Sequence, residues 1–244
     1  MKIQIINPNT NKLMTSAIQD AITKQIDCSD SLVFTTSEDG PDTIESAFDE
    51  CIAASAVMDS VQKGISKSYA AHVIACFGDP GLDAARELSD APVIGIAEAA
   101  MHIASFVSTK FSIVTTVDRQ KNHIEYLVYK YGHERKCSKI RAISSPVSSL
   151  INETCTSSKL IEDECREAIN KDNIGAIVLG CAGMSGLARN LSTSLGVPVI
   201  DGVLSGIHIA NALIKCGVTT SKHGDYSPPA VKEYRGTYSK WGQT

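Results

Sequence analysis

Short apolar runs alternate with longer amphipathic stretches along nearly the whole chain. Apolar positions that recur with the period of an α-helix predict helices at residues 13–22, 43–63, 81–88, 98–108, 118–131, 158–171 and 204–215. Short, mostly apolar runs predict strands at residues 2–6, 31–35, 72–76, 92–96, 110–116, 139–143, 176–179 and 197–200. Alternating strands and helices predict an α/β fold with parallel sheets that are covered on both faces. The polar tail, residues 219–244, is expected to wrap over the surface.

The pattern repeats at the scale of half the chain. In residues 71–104 and again in residues 175–210, an apolar strand, a cysteine, a Gly-Leu helix start and a Pro-Val-Ile strand follow in the same order. The aligned pairs are Cys76 with Cys181 and Leu82 with Leu187 at one spacing, then Pro92 with Pro198 and His102 with His208 at a spacing one residue longer. One inserted loop residue explains the change. The repeat predicts two similar halves with one matched cysteine each.

Polar residues follow the carboxyl ends of the predicted strands in both halves. Besides Cys76 and Cys181, these are Asn9 in the first half and Thr115 and Thr116 in the second. Ligands of parallel α/β sheets bind beyond such strand ends. We therefore expect these side chains to meet in one cleft between the halves. A lone cysteine is more often a small buried hydrophobe, but the matched placement favours chemistry.

Two equivalent proton carriers on opposite faces of a substrate are what racemisation at a carbon acid requires. An ordinary thiol has a pKa of about 8.5, and a nearby helix N-terminus lowers it, so one cysteine can be a thiolate while the other stays neutral. Reacting atoms approach to roughly 3–3.5 Å on each face, which places the two sulfurs about 7 Å apart, too far for a disulfide. We predict that Cys76 removes the proton from one enantiomer while Cys181 delivers one to the other face, and that the roles exchange in reverse. This chemistry requires no cofactor.

Glycine-containing loops follow both cysteines, Phe77-Gly78 in the first half and Ala182-Gly183 in the second. Glycine lets backbone N–H groups turn towards a ligand oxygen, and such donors stabilise a forming enolate. We therefore predict that Phe77, Gly78, Ala182 and Gly183 bind substrate.

Composition and charge narrow the range of partners. The 244-residue chain is 43% hydrophobic and 20% charged, with a net charge of -4, which is typical of a soluble protein and does not favour nucleic acid. No run is long enough to span a membrane, and the N-terminus lacks a signal-peptide core. We expect a cytoplasmic protein with eight reduced cysteines that acts on a small molecule, and its amphipathic helices favour a homo-oligomer.

The sequence gives little indication of a metal site or of a nucleotide-binding site. The cysteines and histidines show no metal-ligand spacing, and the segment from Gly78 to Gly81 lacks the glycines of a dinucleotide fingerprint. Asp79 is expected to cap the helix that begins at Gly81. The cysteines without a matched partner are expected to be packed or exposed; they are Cys28, Cys51, Cys137, Cys155, Cys165 and Cys216.

Several motifs together resemble a known family. They are INPNT (6–10), GPDTIE (40–45), CFGDPGLDAARE (76–87), PVIGIAEAAMH (92–102), SIVTT (112–116), IVLGCAGM (177–184) and PVIDGV (198–203). With these motifs, the chain resembles the hydantoin racemase family, which belongs to the aspartate/glutamate racemase superfamily and includes allantoin racemases. The resemblance extends from the N-terminus as far as residue 225.

The resemblance implies two pseudo-symmetric Rossmann-like lobes with the active site between them. It also implies a cofactor-independent site with Cys76 and Cys181 as its catalytic pair. The resemblance also implies that segments of the chain cross from one lobe to the other. We therefore expect residues 1–97 plus 207–244 to form the lobe that carries Cys76, and residues 98–206 to form the lobe that carries Cys181.

Departures from the superfamily's amino-acid racemases bear on the substrate. Those enzymes usually follow the first cysteine with Asn-Thr and the second with Thr-Glu or Thr-His, whereas Phe77-Gly78 and Ala182-Gly183 stand here. Without those polar anchors, the loops suit a neutral 5-substituted hydantoin ring better than free aspartate or glutamate. In the loop 40–45, Asp42-Thr43 replaces the small residue and Ser that are frequent in the family, next to Ile44, which we predict to contact substrate.

Three alternatives stay open at this point. One is an aspartate/glutamate-type amino-acid racemase, and another is a cis–trans isomerase of an unsaturated diacid with one nucleophilic cysteine. The isomerase would need anchors for two carboxylates, which the sequence does not show. The third is a ligand-binding regulatory protein that kept the fold, against which the retention of both cysteines argues.

Overall fold

Two four-stranded parallel sheets with the same strand order form the frame of the protein. The computed structural model describes residues 1–26, 31–150 and 155–241. Its strands are β1 (Ile3–Asn7), β2 (Leu32–Thr36), β3 (Ala71–Ile74), β4 (Val93–Gly95), β5 (Phe111–Thr115), β6 (Cys137–Ala142), β7 (Ala176–Leu179) and β8 (Val199–Ile200). The first sheet has the order β2-β1-β3-β4 and the second the order β6-β5-β7-β8, with every pair parallel. The predicted α/β fold is confirmed.

Helices follow the strands in both halves. They are α1 (Lys12–Thr23), α2 (Ala47–Ser66), α3 (Leu82–Leu88), α4 (Ile96–Val107), α5 (Lys121–Lys130), α6 (Cys155–Lys171), α7 (Ala188–Leu195) and α8 (Gly202–Cys216). Short 3-10 helices lie at Asp118–Gln120, Val147–Leu150, Ala182–Met184 and Gly236–Trp241. Among the described residues, no helix has the length and apolarity needed to cross a bilayer.

The two central strands of each sheet are buried on both faces, and one face of each sheet belongs to a core that the two sheets share. On β1, Ile5 lies in the shared core and Ile6 lies in a cluster under α2 and α3. On β5, Ile113 lies in the shared core and Val114 in a cluster under α6 and α7. This alternation follows the two-residue period of a strand. It explains why the strands are apolar at successive positions.

Two helices cross from one half to the other. α4 follows β4 but packs against β7 and β8, while α8 follows β8 and packs against β3 and β4. The two helices also pack against each other. These contacts support our division of the chain into a lobe of residues 1–97 plus 207–244 and a lobe of residues 98–206, which we retain as a proposal.

The helix predicted at residues 43–63 begins later than expected, which changes the site. The Ser46 hydroxyl accepts the N–H of Asp49 at 3.2 Å and caps α2, whose first residue is Ala47. Residues 37–46 therefore form a loop after β2. Ile44 lies on this loop and is buried.

The C-terminal tail lies against the outer helices of the first sheet. Its contacts are Thr220 N–H to Asp90 O at 2.9 Å, Lys222 Nζ to Arg86 O at 2.6 Å, Tyr226 Oη to Asp83 Oδ1 at 3.3 Å and Lys240 Nζ to Asp59 Oδ2 at 2.6 Å. These bonds connect the tail to α2, to α3 and to the loop before β4.

Candidate active site

Cys76 and Cys181 occupy equivalent turns beyond the carboxyl ends of two central strands. Each is the second residue after its strand, β3 for Cys76 and β7 for Cys181. The Cys76 carbonyl accepts the N–H of Asp79 at 3.0 Å, and the Cys181 carbonyl accepts the N–H of Met184 at 3.0 Å. Each thiol is therefore carried by a tight turn of the same kind.

Both cysteines line one pocket, to which the two halves contribute. Its lining consists of Asn9, Met14, Ile44, Ala75, Cys76, Phe77, Thr116, Gln120, Val147, Gly180, Cys181, Ala182 and Gly183. Among these described residues, none has a charged side chain. The polar atoms close to a bound molecule would come from the two thiols, from amides and a hydroxyl, and from the backbone.

The structure places most of the predicted substrate-binding residues at this pocket. Asn9, Ile44, Phe77, Thr116, Ala182 and Gly183 line it. Gly78 and Thr115 lie outside the lining. Thr115 is fully buried and donates its hydroxyl to Gly180 O at 3.0 Å, and Gly78 lies against the carboxylate of Glu50. The binding roles of all these residues stay proposals.

Five lining residues were not indicated by the sequence, namely Met14, Ala75, Gln120, Val147 and Gly180. Met14 belongs to the apolar stripe of α1, where it reads as core, and Gln120 lies in a 3-10 turn. Val147 follows β6 in a segment without periodicity. Matching the two halves could have pointed to Val147, since the loops after β2 and β6 are equivalent.

These two loops meet at the pocket and are joined there. Glu45, on the loop after β2, accepts the N–H of Val147 at its Oε1, with a distance of 2.8 Å. Gln120 donates its Nε2–H to Ile44 O at 3.2 Å. Thr10 holds the same loop to its own half, since its N–H donates to Pro41 O at 2.9 Å. The loop after β2 is therefore hydrogen-bonded to residues of both halves.

Burial raises the pKa of both thiols, and the groups around each thiol add to or oppose this effect. Burial first, and then the negative charge of Glu50, raise the pKa of Cys76 well above its ordinary value, although the N–H of Gly78 opposes this. Burial raises the pKa of Cys181 to about 11, where the N–H groups of Gly183 and Met184 oppose the shift. Burial therefore disfavours the thiolate of both cysteines, and the charge of Glu50 disfavours it further at Cys76.

A carboxylate and a histidine flank the turn that carries Cys76. Glu50 Oε2 lies 2.9 Å from His123 Nε2, and the same nitrogen lies 3.2 Å from Gly78 O. The bond to Glu50 raises the pKa of His123. Nothing in the sequence distinguishes His123 from the other histidines.

Asp79 caps a different helix from the one expected. Gly81, with a φ of 68°, stands at the N-cap of α3 without a side-chain cap. The Asp79 carboxylate instead accepts the N–H groups of Ala97 and Glu98, in the first turn of α4, at 3.1 and 3.0 Å. It also accepts the hydroxyl of Tyr131 at 2.8 Å. Burial raises the pKa of Asp79 to about 7.

None of the four unmatched cysteines whose side chains are described lines the pocket. Cys165 is buried, Cys137 is half-buried, and Cys51 and Cys216 are exposed. Cys28 and the side chain of Cys155 lie outside the described residues. Within the described ranges, no group of three or more histidine, cysteine and acidic side chains is placed to hold a metal ion.

Comparison with known proteins bears directly on this cysteine pocket. The sequence profile described as Asp/Glu/Hydantoin racemase matches residues 3–210, which include both cysteine turns. The chain belongs to the Asp/Glu/hydantoin racemase family. Within that family it is 40% identical over 243 residues to a hydantoin racemase of Pseudomonas sp. (strain NS671), covering 100% of this chain and 98% of that protein. The predicted resemblance is confirmed.

Solved structures of the family agree with the fold. An allantoin racemase from Klebsiella pneumoniae has a TM-score of 0.95 and 41% identity, with 100% of both chains covered. An allantoin racemase from Pseudomonas fluorescens has a TM-score of 0.90 and 32% identity, covering 97% of this chain and 100% of that one. The aspartate/glutamate racemase-like architecture is therefore shared over the full length of the chain.

Proposed function

We propose that this protein is a cofactor-independent racemase that interconverts the D and L forms of a 5-substituted hydantoin, with allantoin and the amino-acid hydantoins as its candidate substrates. The observation that supports this most strongly is the pair of thiols on equivalent turns of one pocket whose lining has no charged side chain. A neutral ring fits such a lining, whereas the ammonium and carboxylate groups of an amino acid would lose hydration there without a charged partner.

The proposed reaction passes one proton through each thiol. The thiolate of one cysteine removes the proton from C5 of the ring, and the electron pair of that C–H bond moves onto the neighbouring carbonyl oxygen. The thiol of the other cysteine then donates its proton to C5 on the opposite face. The ring leaves with inverted configuration, and thiol and thiolate have exchanged places. Cys76 and Cys181 are the catalytic residues, and every atom is accounted for without a cofactor.

The family relatives support the same substrate class. The relatives named above are a hydantoin racemase and two allantoin racemases, and hydantoin and allantoin share the ring on which C5 lies. Substrate contacts are proposed for Asn9, Ile44, Phe77, Thr116 and Gln120, which surround the two thiols. A cytoplasmic location and a homo-oligomeric state stay predictions.

Solvent isotope exchange tests the two-thiol reaction. In heavy water, the incorporation of deuterium at C5 is followed for separate D and L enantiomers of allantoin and of an amino-acid hydantoin. Cys76→Ser and Cys181→Ser are each expected to lose racemisation by on the order of 10²–10⁴-fold. Each should still exchange the proton of one enantiomer, and the two variants should prefer opposite hands.

The control is Cys51→Ser, because Cys51 is exposed on α2 and does not line the pocket. This variant should racemise like the parent. Parent-like racemisation by Cys76→Ser and Cys181→Ser would contradict the proposal and favour a cysteine-independent binding role. The substrate with the higher kcat/KM would identify the preferred substituent.

A further inference from the structure

The Glu50 carboxylate is a buried charge without a complete set of partners. Glu50 lies in the first turn of α2, and the residue is 8% exposed. One oxygen, Oε2, pairs with His123 Nε2, and the other, Oε1, has no hydrogen-bond partner among the described residues. Burying a carboxylate oxygen in this way is costly, and such groups in native proteins call for a physical explanation.

Gly78 is what allows this carboxylate to approach Cys76. A Cβ at position 78 would lie 2.1 Å from Glu50 Oε1 and 2.6 Å from Oε2, so any side chain there would displace Glu50. The glycine is the second residue after Cys76, in the turn that presents its thiol. His123 contacts both partners, because its Nε2 also lies 3.2 Å from Gly78 O. Glu50, His123 and the cysteine turn therefore form one connected group.

The environment of Cys181 is different. Glu45 is the acidic residue that acts on this thiol, and its Oε1 is already occupied by the N–H of Val147. Two backbone N–H groups, those of Gly183 and Met184, favour a negative charge on Cys181, against one, that of Gly78, for Cys76. A second negative charge near a carboxylate is disfavoured, whereas N–H donors stabilise it.

From this arrangement we propose that Glu50 is a positioning residue that holds Cys76 as the neutral thiol in the substrate-free protein, so that the resting thiolate is that of Cys181, and that His123 is a positioning residue that orients Glu50 and offsets part of its charge. The inference rests on the proposed function, because it assigns starting roles to the two proton carriers. With these starting roles, the resting protein could accept one enantiomer directly. The other enantiomer would require a proton to move between the thiols first.

Glu50 and His123 should act on Cys76 with opposite signs. The Glu50 charge disfavours a Cys76 thiolate, and protonated His123 partly compensates that charge. The other groups that face Cys76 are Asp79 on its own turn and Cys181 across the pocket, and a negative charge on either also disfavours ionisation. Neutralising Glu50 should therefore make Cys76 more acidic, while neutralising His123 should make it less acidic.

The test is the pH dependence of alkylation at each cysteine, measured with iodoacetamide and peptide mass spectrometry on the full chain. In the parent, the alkylation midpoint of Cys181 should lie at lower pH than that of Cys76. In Glu50→Gln, which keeps an acceptor for His123, Cys76 should react on the order of tenfold faster below its midpoint, one unit of pKa. In His123→Gln, which keeps an N–H donor, Cys76 should react several-fold more slowly at a pH low enough for His123 of the parent to be protonated.

Glu45→Gln is the matched control, because it removes the carboxylate that acts on Cys181. It should lower the midpoint of Cys181 and leave that of Cys76 nearly unchanged. Rates at a pH where both thiols are ionised separate altered access from altered acidity. Rate changes of the same sign at Cys76 in Glu50→Gln and His123→Gln, measured where His123 of the parent is protonated, or unchanged rates in both variants, would overturn the inference, because a purely structural pair gives no opposed effects.

The readout does not depend on turnover. If the cysteine variants exchange isotope as proposed but the Glu50 and His123 variants leave the alkylation midpoints in place, only the positioning role fails. If the midpoints move as expected while racemisation is independent of both cysteines, the proposed function fails and the charge arrangement stands.

Discussion

The two cysteine turns are equivalent in position but not in electrostatic surroundings. Cys76 lies beside Glu50, one oxygen of which has no partner among the described residues, and one backbone donor, whereas Cys181 has two backbone donors and the carboxylate that acts on it, Glu45, accepts the N–H of Val147. A proton transfer across one carbon requires the two sulfurs to be matched in place, since each must reach its own face of the ring. It does not require them to be equally acidic. The repeat has therefore kept the geometry, and the surrounding residues have diverged.

A second contrast concerns how each turn is joined to the helix beyond it. In the first half, Asp79 on the cysteine turn reaches the N-terminus of α4. In the second half, Asp201 at the N-cap of α8 accepts the N–H groups of Val203 and Leu204 and reaches back to the N–H of Gly186. Each half thus uses one carboxylate to connect the chain after its cysteine with the N-terminus of a helix. In the first half the carboxylate lies on the cysteine turn, and in the second half it lies at the N-cap of the helix.

Gly95 stands in the first half where Asp201 stands in the second. The backbone of Gly95 has φ -84° and ψ 139°, close to φ -87° and ψ 124° for Asp201. A Cβ on Gly95 would lie 2.3 Å from Asp79 Cγ. The glycine is needed here for the space that Asp79 occupies, and not for its backbone conformation. Each half has room for one carboxylate at this point.

The pH dependence of activity tests the difference in acidity and should give the largest effect. In the proposed mechanism the active form needs one thiolate, and burial raises the pKa of Cys181 to about 11. Below that value the thiolate fraction rises with pH, so kcat/KM should increase about tenfold per pH unit from pH 6 to pH 9. Initial rates by polarimetry would measure this. A rate that is flat above pH 7 would assign the limiting ionisation to another group.

The matched cysteines are the part of the site that the sequence predicts best. A strand followed by a cysteine and a helix start recurs at nearly constant spacing, and parallel strands bring such residues to one edge of a sheet. The strands themselves are continuous apolar runs because both of their faces are covered. Cys76, Cys181 and the order of elements follow from these local patterns.

The charges around the cysteines could not be predicted in the same way. Glu50 stands next to Asp49 in the first turn of a helix, where acidic residues are common and usually solvated. Its burial depends on His123, which comes from α5 in the other half of the chain, and on the missing side chain at Gly78. Asp79 was expected to cap the next helix in sequence, and only the packing of α4 shows its partner. These contacts are tertiary and have no sequence period.

Moving the carboxylate of the first half from the cysteine turn to the N-cap of α4 tests whether the arrangement of the second half also works in the first. Asp79→Ala leaves two buried N–H groups and the Tyr131 hydroxyl unpaired, which should cost about 2–4 kcal/mol in the free energy of unfolding. The double variant Asp79→Ala/Gly95→Asp should recover more than half of that loss, because it recreates the arrangement of Asp201. Urea denaturation followed by circular dichroism would measure both.

Gly95→Asp alone is the control for this pair, since it would place two carboxylates in one space. It should be less stable than the parent and less stable than the double variant. A double variant no more stable than Asp79→Ala would show that the two halves are not interchangeable at this contact.

The glycines after the two cysteines should differ in their tolerance of a methyl group. Gly78→Ala would force the Glu50 carboxylate to move, at about 1–3 kcal/mol in the free energy of unfolding. Gly183→Ala would meet Leu150 Cδ1 at 3.0 Å, the end of a flexible side chain, and should cost less than 1 kcal/mol, as an order-of-magnitude figure. Denaturant unfolding of both variants measures the difference. Equal losses of unfolding free energy in the two variants would mean that the close approach of Glu50 does not distinguish the first cysteine turn from the second.

The smallest expected effect concerns the loop that is tied to both halves. Gln120→Ala removes the bond from the second half to Ile44 O, about 1 kcal/mol, and should raise KM several-fold with little change in kcat, because Ile44 lines the pocket while the thiols stay in place. Thr10→Val is the matched comparison. It removes a hydroxyl bond of 3.3 Å from the same loop to its own half, keeps the Thr10 N–H bond, and lies outside the pocket lining. Because Gln120 is also a proposed substrate contact, KM should rise more in Gln120→Ala than in Thr10→Val, whereas equal changes would mean that neither the tie across the cleft nor that contact contributes more than the tie within the first half.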